Sequence, residues 1–105
     1  MIDSSRYEDI IASITGAAAY RVSGVASLSS VPGRQSRRRA PRSVQVVFKS
    51  EERVAIDIYV NAFSGVSVPD LAFDIQQIVK TEVENATKFK VASVNIFVTG
   101  IVFNQ

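Results

Sequence analysis

Apolar residues recur every three or four positions before residue 23, and this spacing predicts an amphipathic helix at the start of the chain. Ser5 and Glu8 have the spacing of a capping box that would start the helix. We expect the helix to end near Gly24, because glycine can adopt the left-handed conformation of a C-cap. The predicted buried stripe consists of Tyr7, Ile10, Ile11, Ile14, Ala17, Ala18 and Val22.

Three later segments alternate between apolar and other residues, a period of two that predicts β-strands. The first two, at 44–49 and 54–60, are separated by a short polar turn and should form an antiparallel hairpin. The third, at 92–99, precedes Gly100, which we expect to mark a bulge or a close approach within the strand.

A second helix is predicted between the hairpin and the last strand. Ser67 is the expected N-cap, Pro69 lies in the first turn and Asp70 occupies the third helical position. The predicted buried stripe of this helix consists of Val68, Leu71, Ala72, Ile75, Ile78, Val79, Val83 and Ala86.

The element order α-β-β-α-β predicts an α+β fold in which two helices pack on one face of a small, mainly three-stranded sheet, a two-layer sandwich. A chain of 105 residues fits one domain spanning 1–105. The edge strands of such a sheet carry unpaired N–H and C=O groups, which must be protected or pair with another chain. Self-association is therefore one of our expectations.

The amino-acid composition excludes several classes of function. The chain has no His and no Cys, so zinc fingers, thiol redox chemistry and triads that need imidazole are excluded. We predict no metal, no cofactor and no small-molecule substrate. The acidic first residues and the lack of an apolar leader segment predict no export signal, and the lack of cysteine fits a reducing cytoplasm.

Charge is unevenly distributed along the chain. Five of the 12 basic residues lie within nine positions, which leaves 7 basic residues against 10 acidic ones, a net charge of −3, in the remainder. The segment at about 29–43 is rich in Ser, Pro, Gly and Arg and is predicted to be a mobile loop. Its candidate anion-binding residues are Arg34, Arg37, Arg38, Arg39 and Arg42.

Two interpretations of these arginines remain open. They could contact the phosphates of RNA or of acidic lipid, since each guanidinium offers bidentate donors and stays charged, or they could form a solubilising loop. Nucleic-acid sites usually add aromatic stacking, yet no aromatic residue lies between Arg21 and Phe48 and no GxxG clamp is present. We interpret the later phenylalanines as core or interface residues: Phe63, Phe73, Phe89, Phe97 and Phe103.

Asp57 is the best candidate for acid–base chemistry, because it lies within the apolar strand at 54–60. Strict alternation places it on the face opposite Val54, Ile56 and Ile58. A catalytic carboxylate needs a partner and a pocket, and the sequence assigns neither. We therefore interpret Asp57 as a solvated or salt-bridged strand residue, and we predict no catalytic residue and no enzymatic activity.

The chain resembles the alkaline shock protein family, the Gls-type general stress proteins. The resemblance lies in RVSGVA at 21–26, VAIDIYV at 54–60, GVSVPDLA at 65–72, IQQIVK at 75–80 and the last strand at 91–103, with VNIFVTGIVF. It implies small cytoplasmic bacterial proteins linked to cell-envelope stress, some held near the membrane by a separate anchoring protein and some self-assembling. It supplies no catalytic residues.

Our hypothesis from the sequence is a non-enzymatic cytoplasmic scaffold or interaction module of the cell-envelope stress response, which binds a protein partner or assembles with itself. Any membrane contact would be indirect, through a partner. The alternative is an anion-binding module that uses the arginine-rich loop to contact RNA or acidic lipid.

Overall fold

A computed structural model describes residues 4–29 and 43–103 of the chain. Its elements confirm the α+β class. They also include one short strand that the sequence did not predict, because four residues are too few to show an alternation. In chain order they are α1 (Ser4–Tyr20), β1 (Val25–Leu28), β2 (Val44–Phe48), β3 (Arg53–Phe63), α2 (Val68–Ala86) and β4 (Lys90–Val102).

The four strands form a sheet of three rows around β3. On one side of β3, β4 runs parallel to it along its whole length. On the other side, β1 and β2 both run antiparallel and lie end to end, β1 beside residues 60–62 and β2 beside residues 54–58. The predicted hairpin of β2 and β3 is confirmed, and the sheet has the width of the three strands that we expected.

The arginine-rich segment interrupts the row formed by β1 and β2. The Ser29 N–H donates a hydrogen bond to the Tyr59 carbonyl at 2.9 Å, and the Tyr59 N–H donates one to the Ser43 carbonyl, also at 2.9 Å. Both ends of the segment are therefore held opposite one residue of β3. The loop predicted at about 29–43, apart from these two end residues, lies outside the described residues.

The core lies on one face of the sheet. On β3 the side chains of Val54, Ile56, Ile58 and Val60 are fully buried. Both helices pack on this face, α1 against β1 and β2 and α2 against β4, and α1 also packs against α2. The opposite face, called the open face below, is covered by no helix or strand of the described residues.

The first helix differs in detail from the prediction. It begins at Ser4 and ends at Tyr20, four residues before Gly24, and Ile10 and Ala17 of the predicted stripe are exposed. Gly24 does not have a positive φ angle. It contacts α2 instead, since a methyl group at Gly24 would lie 2.9 Å from Leu71 Cδ1.

The start of α2 matches the prediction. Ser67 has extended backbone angles, and its hydroxyl accepts a hydrogen bond from the Asp70 N–H at 3.4 Å. Pro69 lies in the first turn, where its missing N–H costs nothing. Four of the eight predicted residues are not fully buried: Val68 and Ala86 at the two ends of the helix are exposed, and Ala72 and Ile78 are half-buried. The other four are the buried residues of the helix. They are Leu71, Ile75, Val79 and Val83.

The last strand contains two irregularities in its register with β3. At the first, Val91 faces the core in place of Ala92, the residue that the alternation predicted, and Ala92 is exposed. The other adds Thr99 between Val98 and Gly100. This irregularity lies where the bulge was predicted, at Gly100. A Cβ atom at Gly100 would also lie only 2.5 Å from the side-chain oxygen Oδ1 of Asn61, so this side chain approaches the glycine closely.

Side chains of α2 attach the helix to β4. Glu84 Oε2 accepts a hydrogen bond from the Val91 N–H at 2.8 Å, and Gln76 Nε2 donates one to the Val94 carbonyl at 3.0 Å. Both bonds satisfy backbone groups at the start of the strand. The second half of β4 is left without such cover from the described side chains.

One-sided burial predicts unequal costs for truncating apolar residues on the two faces. We expect Ile58→Ala, in the core, to lower the free energy of unfolding by about 2–5 kcal/mol. Val47→Ala, on the open face and 41% exposed, should lower it by less than about 1 kcal/mol. Urea denaturation of both variants measures the difference, and equal costs would show that the open face is buried as well.

The bond between Glu84 and Val91 should contribute measurably to stability. We expect Glu84→Ala to lower the free energy of unfolding by about 1–3 kcal/mol, because it leaves the backbone N–H of Val91 without its charged acceptor. Glu82→Ala is the matched control. Its ion pair with Arg21 is solvent-exposed and should contribute less than about 1 kcal/mol. A larger loss for Glu82→Ala than for Glu84→Ala would contradict the assignment.

Candidate functional site

The acidic residue singled out in the sequence has no catalytic surroundings. Asp57 lies on the open face, and its Oδ1 accepts a hydrogen bond from Asn95 Nδ2 at 2.9 Å. It is thus a strand residue hydrogen-bonded to a neutral amide, and the salt bridge considered from the sequence is not seen among the described residues. Among the described residues no three His, Cys, Asp or Glu side chains lie together in a way that could hold a metal ion.

A surface cleft of about 530 Å³ lies at one end of the domain. Tyr7 and Phe48 both pack edge-on against Phe89, with ring centroids 5.2 and 5.4 Å away, and the Lys88 ammonium lies 5.5 Å from the centre of the Tyr7 ring. These contacts close the end of the core. The remaining lining residues are Lys49, Ser50 and Glu51, a set with one carboxylate and no nucleophile–base pair.

The five candidate anion-binding arginines lie outside the described residues, so their contact with anions stays a prediction. The structure does fix where their segment joins the sheet, at Ser29 and Ser43 beside Tyr59.

The free edge of β4 is a feature that the sequence analysis did not single out. This strand has 13 residues and pairs on one side with β3, while no strand of the described residues pairs with its other side. From residue 91 to residue 105 the sequence contains no charged residue and no proline. This absence is the feature of the sequence from which an unprotected edge strand could have been predicted. Edge strands are normally protected by such residues, by short length or by cover from another element.

The middle of β4 presents hydrogen-bonding groups to this edge. The Val94 carbonyl points toward α2, where it accepts the bond from Gln76. Alternate residues of a strand direct their N–H and C=O groups to the same side, so Ile96 and Val98 direct theirs to the free edge. Within the described residues no side chain is hydrogen-bonded to these groups.

Exposed apolar side chains surround the same edge. Ile101 and Phe97 of β4 are 49% and 41% exposed. Phe73 of α2 is 59% exposed and lies one turn from Gln76 on the same side of its helix, the side that reaches the edge of β4. We call this surface the β4 edge: the outward backbone of Ile96 and Val98 with the side chains of Phe73 and Ile101.

The opposite edge of the sheet is built differently. It consists of β1 and β2, with four and five residues, separated by the arginine-rich segment. Short and interrupted edge strands offer few consecutive groups for pairing. The β4 edge is therefore the better candidate for contact with another chain.

The open face carries a pair of aromatic rings at its centre. Tyr59 of β3 and Phe97 of β4 are register partners, and their rings stack with centroids 4.7 Å apart and an angle of 17° between their planes. Of the phenylalanines interpreted as core or interface residues, Phe89 is buried, whereas Phe73, Phe97 and Phe103 are exposed.

Neither described helix is long and apolar enough to cross a membrane.

Solved structures with the same fold include several of the MamM CTD. One matches with a TM-score of 0.57 and 14% identity, covering 90% of this chain and 96% of that one. A second matches with a TM-score of 0.55 and 13% identity, covering 95% and 99%. A structure titled as the zinc form has a TM-score of 0.56 at 13% identity, covering 90% and 87%. At these identities the likeness shows the fold alone.

Two relatives by sequence are themselves described as uncharacterized. Spy1535 of Streptococcus pyogenes is 38% identical over 91 residues, which cover 85% of this chain and 70% of that protein. YqhY of Bacillus subtilis is 29% identical over 101 residues, which cover 91% and 74%. Residues 4–103 match the alkaline shock protein 23 family, which is described as having a cell envelope-related function. The sequence resemblance is thereby confirmed, and the chain belongs to this family.

Proposed function

We propose that this protein is a non-enzymatic scaffold of the cell-envelope stress response, and that it assembles by pairing the β4 edge with the β4 edge of a second copy. The family supports the envelope-related part of this proposal. The family resemblance also supports a cytoplasmic location, with membrane contact made through a partner protein. The observation that carries the assembly is the second half of β4, which contains no charged residue and whose outer side pairs with no strand of the described residues.

A second copy is a suitable occupant for this edge. Two identical strands can pair antiparallel about a two-fold axis, so that each surface is its own complement. The outward groups of Ile96 and Val98 would then form backbone hydrogen bonds across the axis. The second half of β4 carries no charged side chain, so pairing there would place no like charges directly opposite each other. The exposed side chains of Phe73 and Ile101 flank the paired strands and would be removed from water.

A non-enzymatic role fits the chemistry of the described surface. Asp57 is hydrogen-bonded to an amide instead of to a second titratable group, and the lining of the cleft described above has a single carboxylate. The family description names no reaction. A scaffold needs only surfaces that bind, and the β4 edge is such a surface.

Sedimentation velocity over a wide concentration range tests the assembly. We expect the parent protein to sediment as a dimer or a larger species as concentration rises, and Ile101→Lys to remain monomeric, because a lysine on an edge strand opposes pairing. Val47→Lys is the matched control. Val47 is exposed to a similar degree but lies on β2, so its substitution should leave the dimer intact.

A parent protein that stays monomeric at near-millimolar concentration would refute the assembly. Loss of the dimer in Val47→Lys but not in Ile101→Lys would place the contact on the other edge. In cells, we expect the Ile101→Lys gene to fail to restore tolerance of envelope stress to a strain that lacks the protein, whereas the Val47→Lys gene restores it.

A further inference from the structure

We propose that Phe97 is the residue by which the β4 edge recognises a second copy of itself, and that the two-fold axis of the pair passes between Phe97 of one copy and Phe97 of the other. This inference rests on the proposed pairing of β4 edges and deepens it by assigning one register. Tyr59 and Phe97 are stacked register partners within each copy. The register would therefore align the rings of both copies in one row across the open face.

Two-fold symmetry restricts the registers that two identical strands can adopt. In an antiparallel pair, two residues directly opposite each other either both direct their N–H and C=O groups to the partner strand or both direct them away from it. Neighbouring residues of one strand differ in this respect. The axis must therefore pass at a residue position and not between two positions, which leaves few centres along the free edge of β4.

The backbone groups at the edge select one of these centres. Ile96 and Val98 direct their groups outward, whereas the Val94 carbonyl already accepts the bond from Gln76, and an irregularity of register follows Val98. An axis at Phe97 sets Ile96 of each copy opposite Val98 of the other, and each such pair can exchange both of its N–H···O bonds. Any other axis sets one of these outward residues opposite the position that Gln76 covers or opposite a position beyond the irregularity.

The exposed ring of Phe97 favours the same axis. Tyr59 stacks on the ring from the side of β3, with centroids 4.7 Å apart, so the other face of the ring is turned toward the free edge. Phe97 is 41% exposed. At the axis it would form a pair without hydrogen bonds, in which the side chains of two strands come closest. The two rings would then remove each other's apolar surface from water.

The neighbouring registers leave this ring without an apolar partner. An axis one position earlier sets Phe97 opposite Asn95 of the second copy, and an axis one position later sets it opposite Thr99. Both polar side chains are already hydrogen-bonded within their own chain, to Asp57 and to Ser29. Neither gains a hydrogen bond by meeting a ring. Backbone groups and side chains therefore specify the same register.

Disulfide cross-linking tests the register, because the chain contains no cysteine of its own. We expect Phe97→Cys to form a disulfide-linked dimer under mild oxidation, since the Cα atoms of a non-hydrogen-bonded pair lie about 4.5 Å apart, within the range of a disulfide. Asn95→Cys is the matched control on the same face of the same strand. The register separates its two copies by about 13 Å along the strands, too far for a bridge. Tyr20→Cys, at an exposed position at the end of α1, measures cross-linking by random collision.

A mixture of two variants tests the register with Phe97 in place. The register sets residue 95 of one copy opposite residue 99 of the other. We therefore expect Asn95→Cys and Thr99→Cys to cross-link when they are mixed, although neither should cross-link alone. This reaction decides the register if Phe97→Cys does not fold, which thermal unfolding of each variant shows beforehand.

Sedimentation measures the contribution of the ring to the affinity of the pair. We expect Phe97→Ala to raise the dissociation constant of the dimer about 10-fold, because it removes an aromatic pair from the axis. Tyr20→Ala, which removes an exposed ring at the end of α1, should leave the dissociation constant unchanged. An unchanged constant for Phe97→Ala would contradict the assigned role of this residue.

The cross-linking outcomes separate the register from the assembly. Suppose that the parent dimerises but Asn95→Cys or Thr99→Cys cross-links alone, or that Phe97→Cys cross-links faster with one of these variants than with itself. The axis then lies at another residue, and the inference is overturned while the pairing of β4 edges stands. A dimeric parent in which no variant or mixture cross-links faster than Tyr20→Cys overturns both. A monomeric parent without any such cross-link refutes the assembly, and the register with it.

Discussion

The fold depends on the one-sided burial of β3. Its alternate residues Val54, Ile56, Ile58 and Val60 are completely removed from water, and together these side chains contribute several kcal/mol of hydrophobic stabilisation. Strands pair along both sides of β3, and both helices are joined to the sheet through the face that these residues occupy. The two helices cover one face of the three-row sheet. No helix or strand of the described chain remains to cover the other face. The open face and the free edges follow directly from this arrangement.

The segment between β1 and β2 joins the sheet at Tyr59 and leaves the core undisturbed. Residues 30–42 separate β1 from β2 along the chain, and Leu28 and Val44 lie beside Val60 and Ile58, one residue to either side of Tyr59. Both ends of the segment are hydrogen-bonded to the backbone of this one residue, so neither strand is displaced from β3. The sheet can therefore carry a segment of unusual composition without changing its register. The side chain of the same tyrosine stacks on Phe97, so the insertion point and the aromatic pair coincide.

The sequence predicted the elements whose signals are local. The N-cap at Ser67 and the alternation in β3 each involve neighbouring residues, and both were confirmed. Residues that depend on tertiary neighbours were predicted less well. Ile10 has the spacing of the buried stripe of α1, but the position of the sheet leaves it 46% exposed. The alternation in β4 placed Ala92 in the core, but a shift of register with β3 exposes it.

The candidate sites depend even more on tertiary neighbours, so the sequence predicts them less well than it predicts the core. Alternation separates the two faces of a strand, but it does not say which partner strand lies beside it or whether one face stays uncovered. The lack of an aromatic residue between Arg21 and Phe48 describes distance along the chain, whereas the fold places Tyr59 opposite both ends of that segment. Pairing of β3 with β4, 38 residues apart at Tyr59 and Phe97, could not be obtained from either strand alone.

The β4 edge and the open face share β4 but are used in different directions. Pairing at the edge would extend the sheet within its own plane, through the backbone groups of Ile96 and Val98, whereas a ligand on the open face would approach along the normal to that plane through side chains. A two-fold pair would therefore place two open faces side by side in one continuous surface and cover neither.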